Sequence, residues 1–140
     1  GGVASGRPAA IEELLVEEPW QLLVACLLLN KTGRAVVDRI LGPFFRRWPS
    51  AERLVEAAAG DLEEALAPLG LQRKRSLLLR RFSLAYARAV AERGAPLPVA
   101  SVEALPGVGR YASDAYGIFV RGELHVRPTD VYLGWFVDYH

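Results

Sequence analysis

Scarcity of cysteine excludes more than any other feature of these 140 residues: there is only one, Cys26. A single thiol closes no disulfide within the chain, and it cannot assemble a cysteine-ligated iron–sulfur cluster or a structural zinc site. Cys26 lies inside the apolar run from Leu22 to Leu29, where it reads as a small core residue. That run is the longest of its kind and too short to cross a bilayer, and the opening Gly-Gly-Val-Ala-Ser-Gly has no apolar core of a secretory signal. An intracellular protein without membrane contact is expected, and no metal or other cofactor. Strand signals are missing through Leu71, and internal repeats and low-complexity segments are missing throughout.

What is present suits a folded domain. Hydrophobic residues make up 51% of the chain and charged ones 24%, a balance that argues against disorder. Residues 1–8 read as a frayed arm and residues 9–140 as one domain, expected to be a monomer. Helical spacing dominates. Ala9 to Val16 reads as a short helix with Ile11, Leu14 and Leu15 inward; Pro19 opens a second, buried nearly all round from Trp20 to Leu29. Asn30-Lys31-Thr32-Gly33 breaks it, with Thr32 placed to cap a helix carrying Val36, Val37, Ile40, Phe44 and Phe45. After Trp48-Pro49, Ser50 is placed to cap the next helix, and Asp61 with Glu64 matches a capping box for a short one running to Ala67. Pro68-Leu69-Gly70-Leu71 makes a turn into the longest helix, Gln72 to Ala91, with Leu78, Phe82, Ala85, Tyr86 and Ala89 inward, ended by Gly94 and Pro96. The fold class is all-α.

The net charge of +1 hides an uneven distribution. Glu12, Glu13, Glu17 and Glu18 make the start acidic, whereas Arg73, Lys74, Arg75, Arg80, Arg81, Arg88 and Arg93 make the long helix basic. Such a face suits DNA, and on charge alone it suits plain solvation better. The stretch around which the chain is organised comes later. A short helix from Ser101 to Leu105 ends at Pro106, and Gly107-Val108-Gly109 turns the chain into a helix from Arg110 to Arg121, with Tyr111, Ala115, Ile118 and Phe119 at helical spacing. A helix, glycine turn and helix exposes backbone N–H groups that can hold a phosphate oxygen. Beyond a loop from Gly122 to Arg127, Thr129 is placed to cap a last helix containing Leu133, Trp135 and Phe136. Asp130 then falls in its first turn, where the helix dipole favours a negative charge. Taken singly, Asp130 suits an ordinary helix start; a carboxylate beside DNA phosphates calls for a further reason.

Leu105-Pro106-Gly107-Val108-Gly109-Arg110 resembles the hairpin of the helix-hairpin-helix DNA glycosylases of the endonuclease III superfamily, and Asp130 stands where that superfamily keeps its catalytic aspartate. Five further blocks, in order, resemble the glycosylase domain of the methyl-CpG-binding mismatch thymine glycosylases: Trp20-Gln21-Leu22-Leu23, Leu29-Asn30-Lys31-Thr32, Trp48-Pro49-Ser50-Ala51, Pro68-Leu69-Gly70-Leu71 and Tyr111 to Phe119. The resemblance runs from about Ile11 to the end and includes no methyl-CpG-binding domain.

It implies a compact helix-hairpin-helix glycosylase fold without an iron–sulfur cluster, acting on double-stranded DNA that contains a mismatched or deaminated base. Asp130 would be catalytic. Tyr111 would line the pocket in place of the lysine of bifunctional relatives; a phenol forms no Schiff base, so water would displace the base. Lys31 matches the plug that fills the gap left by an extruded nucleotide, and Leu71 the wedge against its widowed partner. Gly107, Val108, Gly109 and Arg110 would hold a phosphate, with Arg73, Lys74 and Arg75 adding affinity without sequence preference. Departures from the pattern are Glu12, where a pocket glutamine stands in the vertebrate enzyme, Tyr132 in place of a basic residue, and a loop before Asp130 one residue shorter. Glu12 exchanges an amide for an acceptor-only carboxylate and bears on base choice. Uracil or thymine opposite guanine is the implied substrate. A non-catalytic DNA-binding module and a glycosylase for another damaged base are the alternatives, and the module would leave Asp130, Tyr111 and Lys31 without a purpose.

Overall fold

The computed structural model describes residues 19–29 and 32–120. The expected helix at residues 9–16, the loop residues 30–31 and the terminal helix capped by Thr129 lie outside them. Among the described residues there is no strand, and the elements are α1 (Pro19–Leu29), α2 (Arg34–Arg47), α3 (Ala51–Val55), α4 (Ala59–Leu66), a 3-10 turn (Ala67–Leu69), α5 (Gln72–Arg93), α6 (Val99–Glu103) and α7 (Arg110–Val120). None of these helices is long and apolar enough to cross a membrane.

The core is built around α1, which packs against α2, α5 and α7 and buries every residue from Trp20 to Leu29. Burying each leucine there contributes about 1.5–3 kcal/mol, so the lack of a polar face on α1 is what a central helix requires. Burial pushes the Cys26 thiol up to about 12, leaving it an inert packing residue. Trp20 fixes α1 sideways: its ring meets Phe45 of α2 edge-on at 5.6 Å, and its indole N–H donates to Ser83 Oγ of α5 at 3.0 Å. An unpartnered buried indole N–H would cost about 1–3 kcal/mol, so Ser83 is the residue that lets α5 lie against α1. Gln21, also buried, donates to Pro49 O at 3.3 Å and ties α1 to the turn before α3.

Several local expectations hold and several need correcting. Ser50 caps α3, its Oγ accepting from Arg53 N–H at 3.2 Å. Thr32 does not cap α2, because the helix begins one residue later, after the extended Gly33. The capping box at Asp61 does not form. Ala58 is the N-cap of α4, and Asp61, inside the first turn, pairs instead with Arg47 at 3.0 Å. On α5 Phe82 is buried and Ala85, Tyr86 and Ala89 pack on the core as expected, while Leu78 is half-buried and Ser76, Leu79 and Ser83 are buried besides. On α7 the buried residues are Ala112, Ser113, Ala115, Tyr116 and Gly117, and Ile118 and Phe119 stand half-buried. Tyr116 goes in because its hydroxyl donates to Leu97 O at 2.6 Å, and burial then holds its pKa above the usual phenol value.

Candidate nucleic-acid interface

Two turns bound the candidate interface. The first leads into α5. Gly70 has φ 78° and Leu71 φ 51°, and Leu71 is 60% exposed, the most exposed large apolar side chain among the described residues. A left-handed conformation costs a residue with a Cβ about 1–2 kcal/mol, so its use by a solvent-facing leucine points to a purpose other than packing. No side chain caps α5 at Leu71.

The second turn joins α6 to α7. Leu105 is buried and its carbonyl accepts from Val108 N–H at 3.2 Å, which closes the turn; Gly107 supplies the positive φ, 82°. Val108 N–H is thereby engaged within the turn. The first helical bond of α7 runs from Ser113 N–H to Gly109 O at 3.0 Å, and N–H groups ahead of such a bond have no acceptor within their own helix. Gly107, Gly109 and Arg110 are exposed, and the Arg110 side chain is 89% accessible, with Asp114 at 3.8 Å. Tyr111 is half-buried and packs against the core.

Leu78 joins the two turns. A Cβ added to Gly107 would lie 2.8 Å from Leu78 Cδ1 and 3.2 Å from Leu27 Cδ2, so the hairpin sits directly on these side chains. Leu78 also lines a groove of about 230 Å³ with Leu27, Leu28, Leu71, Lys74, Arg75 and Leu79. The resemblance singled out Leu71 and the hairpin; it did not show that Leu78 couples them. The only sequence signal for that contact is the glycine at 107, which permits close approach without saying to what.

The basic residues of α5 divide into two kinds. Arg73 and Lys74 are exposed beside Leu71. Arg75 and Arg80 point inward: Arg80 donates to Val55 O and Ala57 O, both at 2.6 Å, and Arg75 donates to Gly70 O, Leu28 O and Thr32 Oγ1. Burial lowers the pKa of Arg75 from the usual guanidinium value. Asp130, Lys31 and Glu12 lie outside the described residues, and among the described residues no group of acidic, histidine and cysteine side chains is arranged to hold a metal ion.

No protein-family profile matches the chain. It is 37% identical over 123 residues to the methyl-CpG-binding domain protein 4-like protein of Arabidopsis thaliana, an alignment covering 87% of this chain and 26% of that protein. It is 38% identical over 96 residues to a thymine/uracil-DNA glycosylase of Pyrobaculum aerophilum, covering 69% of this chain and 41% of that one. Its backbone superposes on endonuclease III, solved as a trapped covalent intermediate with DNA, with a TM-score of 0.68 at 21% identity, over 79% of this chain and 51% of that chain. The all-helical body with a glycine hairpin on its face is thus the helix-hairpin-helix glycosylase fold. With the sequence matches added, the chain belongs to the helix-hairpin-helix DNA glycosylases of the endonuclease III superfamily. It spans less than half the length of the curated relatives it matches.

Proposed function

We propose that the protein is a monofunctional DNA glycosylase that excises uracil or thymine opposite guanine in double-stranded DNA and leaves an abasic site. The observation that carries this function is the face on which exposed Leu71 and the glycine hairpin meet through Leu78. A duplex laid there would meet an apolar wedge and a backbone phosphate clamp together, the pair that nucleotide extrusion needs. The substrate class is supported by the names of the relatives, one of them a thymine/uracil-DNA glycosylase.

Extrusion costs a few kcal/mol and least at a mismatch, so a wedge and plug favour the wrongly paired base without reading its neighbours. Leu71 is the wedge and Lys31 the plug; Gly107, Gly109 and Arg110 hold a phosphate, and Arg73 and Lys74 add sequence-neutral attraction. In the reaction, water oxygen bonds to the sugar C1′ as the bond to the base breaks. The base leaves with that electron pair, and the proton shed by water passes to a base. Positive charge builds on the sugar as the bond breaks; the Asp130 carboxylate stabilises that charge and orients or deprotonates the water. Tyr111 keeps the chemistry hydrolytic, having no amine to form a Schiff base. Glu12 faces the base as an acceptor only and biases which pyrimidine is taken.

Labelled duplexes bearing U or T opposite G or A, incubated and then heated in alkali, test the function. Cleavage that depends on pairing with G, and on alkali, is expected; cleavage before alkali would overturn the monofunctional assignment. Asp130→Asn should still bind mismatched DNA while excision falls by about 10²–10³-fold or more. Excision at the wild-type rate would make Asp130 a helix cap, and binding without cleavage of any duplex by the unaltered protein would leave a bare DNA-binding module.

A further inference from the structure

Arg75 stands in the most basic part of the chain, yet its guanidinium is half-buried and bonded within the protein. Nε donates to Gly70 O at 3.0 Å, Nη1 to Leu28 O at 3.3 Å and Nη2 to Thr32 Oγ1 at 2.5 Å. Its backbone N–H donates to Leu71 O at 2.9 Å. Both carbonyls of the left-handed pair Gly70-Leu71 therefore end on one residue, and the same side chain grips the end of α1 and the loop before α2. Leu28 and Thr32 flank positions 30–31 of the chain, so the two segments assigned to wedge and plug are tied to a single planar fork.

We propose that Arg75 is a positioning residue for nucleotide extrusion, holding the turn that presents Leu71 at a fixed distance from the end of α1 so that Leu71 meets a duplex on a rigid base. This role rests on the glycosylase function proposed above. Leucine does not hold a left-handed conformation unaided, and no side chain caps α5 at that point. Only a guanidinium offers donors at fixed angles to acceptors on three sides; the ammonium of a lysine on a flexible stem cannot span them. Engaged in this way, Arg75 has its charge directed into the protein, which separates it from its exposed neighbours Arg73 and Lys74.

The test uses the whole chain and a G:U duplex with 2-aminopurine beside the uracil, which brightens as its neighbour unstacks. Excision is followed in parallel under single-turnover conditions. Arg75→Lys should slow brightening about tenfold, the loss expected when one charge-assisted hydrogen bond of a network goes, and excision should slow with it. In Arg75→Gln, which removes the charge, the salt dependence of duplex binding should keep its slope. Thr32→Val, which removes one acceptor at a partly exposed loop, should slow brightening in the same direction and by less, and it carries the test if Arg75→Lys fails to fold. Brightening at the wild-type rate in both Arg75→Lys and Thr32→Val overturns the proposal. A salt slope shallower by about 1 in Arg75→Gln would make Arg75 a phosphate contact and also overturn it. Brightening without excision by the unaltered protein would sink the glycosylase function alone, because extrusion and its dependence on Arg75 would still be measured.

Discussion

The turns that enter α5 and α7 share a glycine at nearly the same positive φ, 78° at Gly70 and 82° at Gly107, and differ in what comes next. After Gly70 comes Leu71, itself left-handed and exposed; after Gly107 come half-buried Val108 and exposed Gly109. One turn accepts strain to hold out a side chain, and the other keeps side chains away so that backbone can be approached. The first is therefore sensitive to which side chain it carries. The second is sensitive to whether it carries one at all.

The comparison breaks most visibly at Leu71. Leu71→Gly is expected to lower single-turnover excision of a mismatched base by about 10- to 100-fold, since unstacking costs a few kcal/mol per step and the wedge offsets part of it. Thermal melting should hold or rise in the same variant, because glycine relieves the left-handed strain of about 1 kcal/mol. A parallel loss of stability and excision would mean that Leu71 is a packing residue after all.

At the other turn the two glycines should separate. Gly107→Ala places a Cβ at positive φ and against Leu78 and Leu27, so a loss of about 1–3 kcal/mol in denaturant unfolding is expected. At Gly109, where φ is ordinary and nothing lies within 4 Å of an added Cβ, Gly109→Val should change stability by no more than about 0.5 kcal/mol. Its effect should instead be a weaker grip on matched and mismatched duplexes alike, read by fluorescence anisotropy; a loss confined to one mismatch would contradict the phosphate assignment. The smallest effect belongs to the exposed cations beside Leu71. Lys74→Gln should reduce the slope of log affinity against log salt by about 1, and an unchanged slope there and in Arg73→Gln would return both to ordinary solvated charges.

Much of this was legible in the sequence, wherever a local rule had no rival. Ser50 could cap because nothing competed for it, and α1 could be read as buried because it has no polar face to turn outward. Asp61 was misread because the helix begins two residues earlier, at Ala59, which leaves Asp61 inside the first turn, and no local pattern reports its partner across the fold, Arg47. The first turns of α5 were less legible than the rest of it. Leu77-Leu78-Leu79 gives no periodicity from which to choose a face, and it is Leu79 that is buried, on the helix whose Ser83 accepts from the indole of Trp20. The hairpin and Leu71 were singled out by motif, but the inward turn of Arg75 was invisible, since its acceptors are backbone oxygens of Leu28 and Gly70 that any residue would supply.

Leu78 gives the two turns a common gauge. Its end lies against the bare α-carbon of Gly107, and its flank lines the groove beneath Leu71. If Leu71 is the wedge and the hairpin the clamp, the thickness of one aliphatic side chain lies between them, as a shim lies between the jaws of a caliper. Charges along one DNA strand recur about every 3.4 Å, so a fixed gap counts off a fixed number of nucleotides between the one displaced and the phosphate gripped. For the function proposed, the ruler that keeps base and backbone in register would be hydrophobic packing within the protein.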